Sequence, residues 1–247
     1  MKQYNSIFKR TELLTGHEAM NKIKQAKVIL FGVGGVGSWC AESLIRSGIG
    51  HLTMVDLDTI SETNVNRQLP ATTKTIGQIK VDVLKERLLE INPSAEIKAI
   101  KRIYSKETSG DFQLDSFDYI IDAIDSLEHK IHLIQTATKT NAVFFSSMGA
   151  ALKMDSSKIQ VSEFWKVKGC PLAAAIRRRL KKSELPAKKF LCVFSDEVLP
   201  NKGSESYTES EPSPYKKAQI NGTIAHITAI FGFTLAGLVV QDIYKQF

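Results

Sequence analysis

Cysteine is scarce in this chain of 247 residues: there are three, Cys40, Cys170 and Cys192, widely separated. None forms a C-x-x-C pair, which argues against a structural zinc knuckle. A signal peptide is missing as well. The opening MKQYNSIFKR is polar and has no apolar centre. Few cysteines and no secretory start point to a reducing cytosol, so a cytoplasmic protein is expected. Long hydrophobic runs are rare. Residues 224–240 are almost wholly apolar, but the run falls short of the ~20 residues a membrane span needs. It also contains His226, Thr228 and Thr234. A helix buried in the core or in a dimer interface is expected there, and no membrane. There are no internal repeats.

Hydrophobic residues make up 43% of the chain, ample for a core. The net charge of +7 is that of a protein suited to polyanions, a weak pointer by itself. The length fits one large domain, or one with an appendage. The rhythm of the sequence changes near residue 150. Residues 1–150 read as a core with an N-terminal arm, and 151–247 as a C-terminal extension, together one continuous domain.

The densest signal lies in residues 27–58, KVILFGVGGVGSWCAESLIRSGIGHLTMVDLD. A short apolar run, 28–31, leads into a glycine cluster, Gly32, Gly34, Gly35 and Gly37. A helical pattern with Ala41, Leu44 and Ile45 on one face follows. A second apolar run, 52–55, ends in Asp56. The spacing Gly32-x-Gly34-x-x-Gly37, with an acid roughly 20 residues on, is a nucleotide-binding fingerprint. Glycines let the backbone approach a phosphate, and the helix N-terminus meets that anion with free N–H groups. Asp56 is placed to accept hydrogen bonds from a ribose. The pattern specifies neither the nucleotide nor its use; an NAD-dependent dehydrogenase could carry the same turn.

Upstream, residues 1–26 read as a short arm and then a helix starting at Thr15 or Gly16. Arg10, in the arm, reads by spacing alone as a solvated charge. Beyond Asp56 come Asp58 and the polar run Thr63-Asn64-Val65-Asn66-Arg67-Gln68. They follow the carboxyl end of the second strand, where open α/β sheets bind ligands. A helix is predicted over 76–91, stopped by Asn92-Pro93. Lys80 near its start reads by spacing as an exposed helical lysine. Strands are predicted over 97–103 and 117–121, the latter running into Asp122-Ala123-Ile124-Asp125-Ser126. A helix over 127–140 and a strand over 142–145 follow. This alternation predicts an α/β fold with a doubly wound, mostly parallel sheet. The smaller C-terminal extension has strands over 159–161 and 190–194. Between them a helix from Pro171 carries Arg177, Arg178, Arg179, Lys181 and Lys182, a patch extended by Lys188 and Lys189. Residues 200–217 have the composition of a loop or disordered segment.

Taken together, GVGGVGS, VDLD, NVNRQ, Lys80 and DAIDS resemble the adenylating enzymes related to ubiquitin activation. That superfamily includes the molybdopterin- and thiamine-synthesis adenylyltransferases. The five motifs stand in family order over about residues 8–150. The resemblance implies a Rossmann-like fold that binds ATP and magnesium. Gly32, Gly34, Gly35 and Gly37 would line the phosphates, Asp56 would hold the ribose, and Asp58 and Gln68 would add nucleotide contacts. Asn64, Arg67 and Lys80 match a trio that holds the triphosphate and stabilises charge during adenylation. Asp125 matches the acid associated with magnesium. Arg10 matches an arginine that reaches into the partner subunit's ATP site, which implies a homodimer.

The C-x-x-C pairs of the sulfur-carrier enzymes are absent, and no cysteine is clearly placed to form a thioester. The segments PLAAAIRRRLKK and CVFSDE, with FKRTELLTG, GIGHLTMVDLD and TNVNRQ, resemble a different branch. Its members dehydrate threonylcarbamoyladenosine in tRNA, and the resemblance spans most of the chain. It implies an ATP-dependent enzyme of ligase type. The threonyl carboxylate is adenylated, a nitrogen of the same side chain closes the ring, and AMP and pyrophosphate leave. A tethered nucleophile has a high effective concentration, so no enzyme thiol is required. Arg177, Arg178, Arg179, Lys181 and Lys182 would contact tRNA phosphates. A sulfur-relay-type helper protein is a further partner compatible with the family. A structural monovalent cation held by backbone carbonyls would leave no motif. The alternative is an adenylyltransferase acting on the C-terminus of a small ubiquitin-like sulfur-carrier protein.

Overall fold

β1 (Lys27–Phe31) is buried from Val28 onward, as a strand covered on both faces must be. Val28 and Leu30 point into one core and Ile29 and Phe31 into another, the alternation of a pleated strand. β1 pairs in parallel with β2 (His51–Val55) on one side and β4 (Tyr119–Asp122) on the other. β3 (Glu96–Ile100) lies outside β2, and β5 (Val143–Ser147) outside β4, both parallel. β7 (Leu191–Ser195) joins β5 in parallel, and β6 (Ile159–Glu163) runs antiparallel at the edge. The computed structural model describes residues 6–203 and 221–247. Among these, the sheet has the order β3-β2-β1-β4-β5-β7-β6. It is the doubly wound, mostly parallel sheet expected, and strands from both sides of residue 150 share it. Residues 204–217 of the expected loop lie outside the described residues.

One core holds side chains of α2 (His17–Gln25), α3 (Gly37–Ser47), α4 (Lys80–Ile91) and α7 (Ala225–Tyr244). The other holds those of α5 (Leu127–Ala137) and α6 (Pro171–Leu180). α7 is the apolar C-terminal stretch. It is long enough to cross a membrane, and half of its apolar window is buried in the protein. Ile227, Phe231, Leu235, Val239 and Ile243, four residues apart, are fully buried. Each such side chain contributes about 1.5–3 kcal/mol. α7 crosses α3 closely at Gly232, where a Cβ would come within 2.4 Å of the Val36 carbonyl oxygen.

Several boundaries differ from the sequence reading, three of them for evident physical reasons. The arm is helical from Lys9: α1 (Lys9–Thr15) precedes α2, and Gly16 between them has φ +83°. α4 starts at Lys80, four residues later than the pattern suggests. Gly77 has φ +83°, its N–H donates to the Ile60 carbonyl, and Ile79 is extended and bridges Thr59, so the helix starts only after it. β3 stops at Ile100 because its partner β2 ends at Val55.

Candidate active site

The strand order reverses across β1 and β4, and such a switch point opens a crevice at the carboxyl edge of the sheet. Three loops meet there. Gly32 has φ +86°, and a Cβ on it would lie 2.7 Å from the Ala123 carbonyl oxygen, in the loop after β4. A Cβ on Gly37, the first residue of α3, would lie 1.8 Å from the Gly32 carbonyl oxygen. Only glycine fits either position. The third loop begins with Asp56, after β2. Its Oδ2 accepts the Val33 N–H at 2.8 Å and its Oδ1 the Asp58 N–H at 2.9 Å. Burial pushes the Asp56 carboxyl above the usual carboxylate range, against the opposing effects of Lys80 and those two N–H groups. The two bonds fix its orientation.

The late start of α4 changes the character of Lys80. Its backbone N–H donates to the Asp58 carbonyl at 3.1 Å, and its Nζ to Asp58 Oδ2 at 2.8 Å. The Lys80 side chain is 6% exposed and that of Asp58 68% exposed. Spacing alone made Lys80 a solvated lysine; the fold buries it with a single ion-pair partner at the surface. Asn64 ends a 3-10 turn, Glu62–Asn64, and its Oδ1 accepts the Ser61 N–H at 3.2 Å. Arg67 donates from Nη1 to the Thr63 carbonyl at 2.8 Å and to Asn66 Oδ1 at 2.9 Å. The Arg67 stem lies over the glycine turn, with Cγ 3.4 Å from where a Gly35 Cβ would stand. Gln68 packs beside Gly34, and its buried Oε1 has no hydrogen-bond partner among the described residues. A buried orphan acceptor calls for a donor beyond the described residues. A nucleotide hydroxyl fits that need, and a tight glycine turn fits a phosphate.

Asp125 is exposed on the loop after β4. Among the described residues no three His, Cys, Asp or Glu side chains form a metal cage. One carboxylate can still suit magnesium, which is commonly shared between one or two carboxylates and substrate phosphates. Arg10 is not brought to this site. It is exposed on α1, two residues beyond Phe8. The Phe8 ring packs 3.5 Å from the Cβ position of Gly48, at the C-terminal end of α3. The glycine turn is at the other end of that 11-residue helix, about 16 Å away.

One network was not legible in the sequence. Asp122, at the end of β4, is fully buried. Its Oδ2 accepts from Lys130 Nζ at 2.6 Å and Ser146 Oγ at 2.6 Å, and its Oδ1 accepts the Ile124 N–H at 3.0 Å. Lys130 Nζ also donates to the Ser147 carbonyl at 2.9 Å. This network pins the loop that presents Asp125 and backs Gly32. A strand-end acid with a lysine in the second turn of the next helix is the only local signal for it.

All three cysteines are buried and unpaired. Burial pushes the Cys192 thiol up to about 12 and raises that of Cys40 as well. Thiols held protonated in the core make poor nucleophiles. Arg178 and Arg179 on α6, and Lys181 and Lys182 in the turn that follows it, are exposed. Arg177 is turned inward, donating to the Phe164 carbonyl at 3.1 Å and lying 5.8 Å over the Phe164 ring. Lys188 does not extend the patch. Its Nζ donates to the Thr140 and Ala142 carbonyls at 2.7 and 2.5 Å.

The ThiF family profile matches residues 8–246. A tRNA threonylcarbamoyladenosine dehydratase from Bacillus subtilis is 38% identical over 97% of this chain and 95% of its own length. The crystal structure of the E. coli tRNA N6-threonylcarbamoyladenosine dehydratase in complex with ATP matches with a TM-score of 0.86 at 30% identity. That match covers 98% of this chain and 96% of the other. Likeness to a molybdopterin-synthase adenylyltransferase from Haemophilus influenzae, at 30% identity, covers 60% of this chain. The sulfur-carrier alternative is therefore the weaker one. The chain belongs to the ThiF family, and within it to the tRNA threonylcarbamoyladenosine dehydratases.

Proposed function

We propose that this protein uses ATP to cyclise threonylcarbamoyladenosine in tRNA, with loss of one water from the nucleoside. The observation that carries the reading is the gathering of the glycine turn, Asp56, Arg67 and Lys80 at one sheet edge. It occurs in a chain that resembles the dehydratases over nearly its whole length.

The gathering of these residues supports the following roles. Ribose hydroxyls donate to the oriented Asp56, and phosphates lie against the N–H groups opening α3. One oxygen of the threonyl carboxylate attacks the α-phosphorus. The bond from that phosphorus to its bridging oxygen breaks, and pyrophosphate leaves. Negative charge gathers on the phosphate oxygens, and fixed cations aimed at it supply the largest catalytic contribution. Lys80 and Arg67 are those cations within one chain, and Arg10 is contributed by a second subunit. Magnesium at Asp125 would add positive charge on the same oxygens. A nitrogen of the activated side chain then attacks the acyl carbon. The acyl–oxygen bond to AMP breaks, and the nitrogen gives up its proton. Tethering makes this ring closure effectively unimolecular, so the buried thiols are not needed. The exposed cations of α6 hold the tRNA backbone.

The test is incubation with ATP, magnesium and tRNA carrying threonylcarbamoyladenosine, followed by nucleoside mass spectrometry. The nucleoside should lose the mass of one water. An unchanged nucleoside, with AMP transferred instead to the C-terminus of a small protein, would overturn the reading.

A further inference from the structure

A short aromatic series leads from the core to the surface beside α6. The rings of Phe144 and Phe190 lie 5.0 Å apart, those of Phe190 and Phe164 stack at 4.9 Å, and those of Phe164 and Trp165 meet edge-on at 5.3 Å. The three phenylalanines are buried, and Trp165 is 36% exposed. Its backbone is held in place: it sits in a 3-10 turn, Phe164–Lys166, and its N–H donates to Glu163 Oε1 at 3.2 Å. A single exposed aromatic is ordinary. The charge around this one is not. Lys166 and Lys168 are exposed on the same segment. Arg177 reaches it from α6, donating to the Phe164 carbonyl and lying over the Phe164 ring. Arg177 also lines a surface recess of about 390 Å³ with Ala174, Arg178, Lys181 and Lys182, so every lining residue but Ala174 is a cation.

A recess of cations takes an anion, and an exposed indole beside it takes the flat face of an aromatic ring. A nucleotide of a single strand offers both, its phosphate to the recess and its base to the indole. We propose that Trp165 is a stacking platform for an unpaired base of the tRNA, whose adjoining phosphates lie in the recess on α6. A base inside a paired helix has both faces covered, so the platform selects a single-stranded segment. The stacked base is a different one from the base that is modified. β6 runs antiparallel to the rest of the sheet, so Trp165, just past its end, lies at the edge opposite the glycine turn. The five residues of β6 put roughly 15 Å between the two edges. The inference rests on the reading of α6 as a tRNA surface, and it adds a contact to a base where that reading has contacts to phosphates alone.

Filter binding of tRNA tests the platform. Trp165→Ala should weaken binding roughly tenfold. It should leave the slope of log K against log salt unchanged, because a lost stack releases no counterion. Trp165→Phe should recover most of the affinity, and Trp165→Leu should not. A fully paired RNA duplex is the control, bound equally by wild type and Trp165→Ala. Fluorescence gives a second readout. The chain has two tryptophans, and the other, Trp39, donates its indole N–H to the Arg67 carbonyl at the nucleotide site. Titration with tRNA should quench wild-type emission by a component that Trp165→Phe lacks. Equal affinity of wild type and Trp165→Ala for tRNA, an equal loss on the duplex, or full affinity in Trp165→Leu would each overturn the proposal. The two readings fail separately. An unchanged nucleoside with the affinity difference intact refutes the function, and normal dehydration with Trp165→Ala binding tRNA as tightly as wild type refutes the platform.

Discussion

Positive charge near the nucleotide site is tied down, and positive charge on α6 is mostly left loose. Lys80 is 6% exposed and bonded to Asp58; Lys130 is 1% exposed and lies between Asp122 and the Ser147 carbonyl. Arg178, Arg179, Lys181 and Lys182 stand in solvent, and only Arg177 is turned inward, onto Phe164. The two arrangements suit different work. Charge developing on one phosphorus must meet donors already in place, because reorganising them would raise the barrier. A polyanion needs only a density of cations, whose attraction acts over ~10 Å at 0.1 M salt.

The sharpest way to break this contrast is to remove a tied cation from the nucleotide site. Arg67→Ala and Lys80→Ala should each lower turnover by roughly 10³-fold or more. Neither should unfold the protein, since the partner left by Lys80 is the exposed Asp58. Nucleoside mass spectrometry gives the rate and a thermal melt the fold; near-normal turnover in either variant would sink the assigned role. Lys130→Ala tests the second tied cation, and its effect should fall on stability. It strands Asp122 in the core as an uncompensated charge, at a cost of about 3–5 kcal/mol. Urea denaturation should show this, with part of the loss recovered when Asp122→Asn is added. A midpoint unchanged by Lys130→Ala would mean that the pair does not hold the Asp125 loop.

On α6 the expected effects are smaller and of another kind. Replacing Arg178, Arg179, Lys181 and Lys182 by alanine should weaken tRNA binding and flatten its salt dependence. Each lost phosphate contact removes about 0.7–0.9 from the slope of log K against log salt. Turnover at saturating tRNA and the melting temperature should stay within twofold and a few degrees. An unchanged slope, measured by filter binding between 50 and 200 mM salt, would place the tRNA elsewhere.

The glycine turn and Asp56 were legible because their function depends on fixed local offsets, which a strand–turn–helix unit converts directly into geometry. The burial of Lys80 was not. It follows from Gly77 and from the pairing of 58–60 with 77–79, neither of which leaves a periodic trace. The loss of Lys188 from the patch has the same origin, since its carbonyl partners lie more than forty residues away. α1 escaped the pattern because none of its residues is buried in the chain itself, so there is no apolar stripe aimed at a core.

The smallest expected effect concerns Asp56 and has opposite signs in the free and bound protein. Burial holds its carboxyl above the usual carboxylate range. In the free protein, protonation therefore favours the fold. That contribution is complete below the ordinary carboxylate pKa and is lost as pH rises through the elevated value. On the proposed role, ribose hydroxyls donate to the ionised form, so ATP binding would run the other way and weaken as pH falls through the same window. The wild-type affinity should fall modestly as pH is lowered from 7.5 towards the carboxylate range. The γ-phosphate titrates in this range too, so the measurement is the difference between wild type and Asp56→Asn, in which the phosphate's contribution cancels. Asp56→Asn should bind ATP more weakly at pH 7.5 and should lose the extra pH dependence of wild type. Parallel pH profiles in calorimetric titrations would show that Asp56 does not hold the ribose, and that its two backbone bonds serve only to close the glycine turn.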